Sequence, residues 1–100
     1  MIRVIIGDVE SEISSVSESW INQHINRRNA DGQNVCVRVI IHTDKLKMTL
    51  STPACAVGQP GRVPNEHEAD IFKLWDQCGL NKEHFTGGNL IAFLKKFRNI

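Results

Sequence analysis

The side chains best suited to chemistry lie in the second half of the chain. Cys55 sits two residues after Pro53 in a proline- and glycine-rich stretch, and a thiolate there would be a nucleophile if a base lay close to it. A thiol-dependent enzyme centred on Cys55 is therefore the catalytic alternative, although no residue of the sequence fixes the base. His67 stands between Glu66 and Glu68 in NEHEAD, residues 65–70, and such a trio has the groups of acid–base catalysis. Neighbouring helical positions point about 100° apart, so the three do not converge, and a negatively charged first helical turn accounts for them. Cys55, His67, Cys78 and His84 are soft-metal ligands by type. Their intervals include neither C-x-x-C nor H-x-x-x-H, so neither a metal nor another cofactor is expected. Arg62 ends GQPGR, residues 58–62, whose amides could hold an anion; the stretch lacks the Lys and the Ser or Thr of a P-loop, and turn chemistry suffices for it.

A fourth group is cationic: Lys82, Lys95, Lys96 and Arg98. Lys82 lies within, and the other three follow, IFKLWDQCGLNKEHFT, about 16 residues of the 100. That stretch resembles the helix–turn–helix of the arabinose-regulator family of bacterial transcription factors, with Cys78, Gly79, Leu80, Phe85 and Thr86 at the matching positions. The resemblance implies nucleic-acid binding through a C-terminal helix pair, with the four cations on phosphates. Gly87 and Gly88 stand where a recognition helix would run on, and they suit the end of a turn and the start of another helix.

The elements that must position these groups are legible from hydrophobic period. Ile2, Val4 and Ile6 alternate with Arg3 and stop at Gly7, which predicts a strand over 2–7. From Glu10 the period lengthens: Ile13, Val16, Trp20, Ile21 and Ile25 share one side of a helix expected to run to Arg27 and Arg28, with ADG as its stop. Val35, Val37, Val39 and Ile41 define a strand over 34–42, and Leu46, Met48 and Leu50 a half-exposed partner over 46–51 joined by a short polar turn. All three prolines fall in the loop 52–65, and loops of that length tend to carry function. Ala69, Ile71, Phe72, Trp75 and Cys78 predict a helix from Glu66 that Gly79 ends, and Leu90, Ile91, Phe93, Leu94 and Phe97 a last helix from about Asn89.

The expected fold is α+β in the order β-α-β-β-(long loop)-α-α. A small three-stranded mixed sheet packs with helices, its first two strands parallel through a right-handed crossover. One domain over residues 1–100 is expected, since two would each be too small. Hydrophobic residues make up 41% and charged residues 23%, and the net charge is +1, a weak positive excess for a protein that neutralises phosphates. Three cysteines cannot all pair within one chain, and a core of this size needs no disulfide, so free thiols in a reducing, cytoplasmic setting are expected. The N-terminal residues lack the apolar region of a signal peptide, and no apolar run approaches a membrane span. The leading expectation is a small non-catalytic protein-interaction module, binding a protein partner or itself. Its contact surface would be the loop 52–65 and the C-terminal helices, with Cys55, Arg62, His67, Phe93 and Phe97 as candidate residues.

Overall fold

Gly7 and Asp8 decide the topology. Gly7 has φ 64°, whereas no non-glycine residue among those described has a positive φ, and Ile6 pairs with Val9 across a two-residue turn. This is the pattern of a type II′ hairpin, which needs glycine at its first central position. The computed structural model describes residues 1–30, 35–55 and 63–98. In it the chain forms β1 (Ile2–Ile6), β2 (Val9–Glu12), a single 3-10 turn (Ile13–Ser15), α1 (Glu18–Ala30), β3 (Val37–His42), β4 (Lys47–Ser51), α2 (Glu66–Gln77) and α3 (Gly87–Arg98).

The sheet has four strands in the order β2-β1-β3-β4, and every neighbouring pair is antiparallel. The α+β class stands, but the three-stranded mixed sheet is corrected. The hairpin at Gly7 reverses the chain before α1 begins, so α1 leads out of β2 rather than β1. β3 then pairs antiparallel to β1, which lies between β2 and β3. The helix expected from Glu10 is also corrected: Ile13 belongs to the 3-10 turn, and α1 starts one residue after Ser17, whose Oγ accepts the amide of Trp20 at 3.1 Å. A serine at that place satisfies one of the donors that a helix start leaves without a partner.

One face of the sheet carries the core. Val4 and Ile6 of β1, Val37, Val39 and Ile41 of β3, and Met48 and Leu50 of β4 are buried there under Ile21 and Ile25 of α1, Ile71 and Trp75 of α2, and Leu90, Phe93 and Leu94 of α3. These are the faces that the alternation and the helical spacing predict. Two side chains expected inside α2's stripe stay outside: Ala69 is exposed, and so is Phe72. Trp20 is half-buried, with its ring edge on His24 at 5.0 Å.

α2 and α3 are joined by residues 78–86. Gly79, at φ 81°, ends α2: its amide reaches Asp76 O at 3.0 Å, and that of Leu80 reaches Trp75 O at 3.3 Å, a Schellman stop. α3 begins at Gly87, two residues before the expected Asn89. Asn89 does take part in capping, but from the third position of the helix, accepting from the Thr86 amide at 2.7 Å and from its hydroxyl at 3.1 Å. Its Nδ2 donates to Cys78 O at 3.0 Å, so one side chain ties the end of α2 to the start of α3. No helix among the described residues is long and apolar enough to cross a membrane.

Candidate functional site

β4 is an edge strand, and α2 runs beside it. Thr43 N–H bonds Leu46 O at 2.8 Å and Thr52 N–H bonds Val37 O at 3.0 Å. Antiparallel ladder bonds recur at every second residue, so Leu46, Met48, Leu50 and Thr52 turn their backbone groups toward β3. Those of Lys47, Thr49 and Ser51 therefore point away from it, along the open edge. Among the described residues no strand lies beyond β4.

The near end of this edge is closed by α2. Glu68, only 1% exposed, accepts the outward amide of Lys47 on Oε2 at 3.0 Å and that of Asn65 on Oε1 at 3.1 Å. Asn65 returns the bond by accepting Glu68 N–H at 2.8 Å, and its Nδ2 donates to Lys45 O at 3.2 Å. The reciprocal pair is a capping box. Its glutamate here also serves a strand, and a buried carboxylate is tolerated because backbone donors surround it.

An open groove of about 350 Å³ lies at this end of β4, with His42, Lys47 and Thr49 on the sheet side and Pro64, Glu68 and Phe72 on the other wall. Phe72, 38% exposed, is the large apolar side chain that α2 leaves outside the core. A second groove, of about 430 Å³, lies at the 43–46 turn and is lined by Leu46, His67, Asp70 and Ile71.

The residues singled out from the sequence fare unevenly. His67 is exposed and lines the second groove. Phe93 is corrected from contact surface to core: it is 0% exposed, edge-on to Trp75 at 5.0 Å and stacked on half-buried Phe97 at 5.9 Å. Arg62, with the rest of GQPGR, lies outside the described residues. Cys55 is corrected from a loop thiol to half of a disulfide with Cys36; it is 7% exposed and offers no free thiolate, and the expectation of three unpaired cysteines fails with it. Cys78 alone is free.

Of the four cations, Lys95 pairs with Glu18 at 2.7 Å, and Arg98 donates to the carbonyls of Ile13 at 2.9 Å and Val16 at 3.4 Å. These two hold α3 against α1 and its approach. Lys82 and Lys96 are exposed. The nine residues between Gln77 and Gly87 exceed the three or four of a helix–turn–helix, so α2 and α3 are not joined by the tight turn that the local resemblance implies. The sequence reading took Glu68 as first-turn charge only. The signal that would have singled it out is the capping-box spacing Asn65-x-x-Glu68.

Compared with protein-family models, curated proteins and solved structures, the chain matches none of them.

Proposed function

We propose that this chain is a small cytoplasmic, non-catalytic protein-interaction module that takes an extended segment of a partner along β4, in the groove beside α2. The observation that carries this is the outward direction of the Thr49 and Ser51 backbone groups along an edge flanked by exposed Phe72. An extended chain presents N–H and C=O at the same two-residue repeat, so its main chain supplies affinity, and alternate side chains supply selectivity against the α2 wall. The contact surface moves from the loop and C-terminal helices, where sequence alone put it, to β4 and the first half of α2.

The test is selection of short peptides from a random display library on the full chain, followed by amide chemical-shift mapping with a selected peptide. Shifts centred on Thr49, Ser51 and Phe72 support the proposal. Thr49→Pro should abolish binding while leaving the fold intact, because the amide it removes faces outward and not into the β3 ladder. Binding that maps to another surface, or survives Thr49→Pro unchanged, rejects strand addition. Dimerisation through the same residues would make the partner a second copy.

A further inference from the structure

The disulfide joins Cys36, just before β3, to Cys55, four residues after β4 ends, across the open end of the β3–β4 hairpin. At that end the ladder already has its own closure. Thr52, buried, donates its amide to Val37 O at 3.0 Å; its Oγ1 accepts Val37 N–H at 2.9 Å and donates to Val35 O at 3.3 Å. Neither bridged cysteine belongs to the contiguous apolar core. Beyond that closure the bond anchors the short turn Pro53–Cys55, in which the Cys55 amide meets Thr52 O at 3.0 Å and the Cys55 Sγ lies 3.4 Å from Val37 O.

We propose that the Cys36–Cys55 disulfide is a reversible redox clasp, whose reduction releases the Pro53–Cys55 turn while the β3–β4 ladder stays closed at Thr52. The inference rests on the proposed cytoplasmic setting, where protein disulfides are as a rule transient and redox-sensing. The reductant is a low-molecular-weight monothiol of the glutathione class. Its thiolate attacks Cys36 Sγ, the half-buried sulfur, because Cys55 is the more enclosed of the two. The S–S bond breaks, a mixed disulfide forms at Cys36, and Cys55 leaves as thiolate. A second monothiol thiolate attacks the small-molecule sulfur of that mixed disulfide and releases Cys36. Two electrons enter the protein, two monothiols become one small disulfide, and each cysteine takes up a proton.

The experiment equilibrates the full chain across ratios of reduced to oxidised glutathione without denaturant, traps thiols by alkylation, and follows amide hydrogen exchange by mass spectrometry in the end states. The expected result is one two-electron transition at Cys36 and Cys55 within the range those mixtures span. Exchange at Cys55, whose amide is bonded to Thr52 O, should rise at least tenfold, while β1, β3 and the helices stay protected. The double variant C36S/C55S should reproduce the reduced pattern without reductant. Either of two results overturns the clasp: exchange throughout the reduced chain as fast as in an unfolded peptide, which makes the bond a staple of the whole fold, or a bond that stays closed at every ratio. Alkylation trapping of Cys36 and Cys55 directly in cells separates the cases: full oxidation there rejects the cytoplasmic placement and the clasp with it, whereas strand addition on β4 is tested separately and survives that result.

Discussion

Glu68 joins two segments that are distant in sequence, the cap of α2 and the start of β4, and Asn65 adds a bond to the turn at Lys45 just before it. Glu68→Ala leaves two part-buried backbone donors without their acceptor and is expected to lower the unfolding free energy by about 2 kcal/mol, read from the urea midpoint. Glu68→Gln keeps one acceptor oxygen but turns an NH₂ group toward the other donor, so it should lose about half as much. The contrast separates loss of the acceptor from loss of packing. Lys95 makes the opposite case. It and Glu18 are both more than half exposed, and Lys95→Ala should change stability by less than about 0.5 kcal/mol in the same assay.

Among the elements, β3, β4 and α2 were legible in the sequence, because Val37-Val39-Ile41 and Met48-Leu50 alternate strictly and Ile71 and Trp75 keep helical spacing beside a glycine stop. β2 was not legible. Val9-Glu10-Ser11-Glu12 has one apolar residue, since an edge strand with little to bury writes no alternation, and Ile13 and Val16 fall by chance at a helical interval. One missed strand was enough to reverse the expected direction of β3 relative to β1. The site followed the same rule. Side-chain chemistry drew attention to Cys55 and His67, whereas the candidate edge is defined by backbone direction, which emerges only when the register is known. At this scale Asn89 is the informative variant: Asn89→Ala removes both the cap of α3 and the tie to Cys78 O, and should cost about 2 kcal/mol by thermal or urea unfolding. Thr86→Ala, which keeps the tie, should cost less.

For the whole molecule, the disulfide acts chiefly on the unfolded chain. Closing a 19-residue separation corresponds to about 3 kcal/mol of lost unfolded-state entropy. The reduced protein should therefore unfold at lower urea but still in one cooperative transition, because the core that α1, α2 and α3 share does not include the bridge. Charge gives a second expectation at this scale. With a net charge of +1, and with Lys95 and Arg98 turned to holding α1 and its approach, duplex DNA should not be retarded by the chain at about 0.15 M salt in a gel shift.

The seal that Glu68 makes over the Lys47 amide gives the proposed docking track a blind end. A guest strand laid beside Thr49 and Ser51 meets, at Lys47, a donor that is already taken and a carboxylate standing in its place. The guest must stop or turn there. Its recognised portion is then short, its position along β4 is fixed from one side, and a sequence shifted by two residues would meet a wall where the matched one finds a partner.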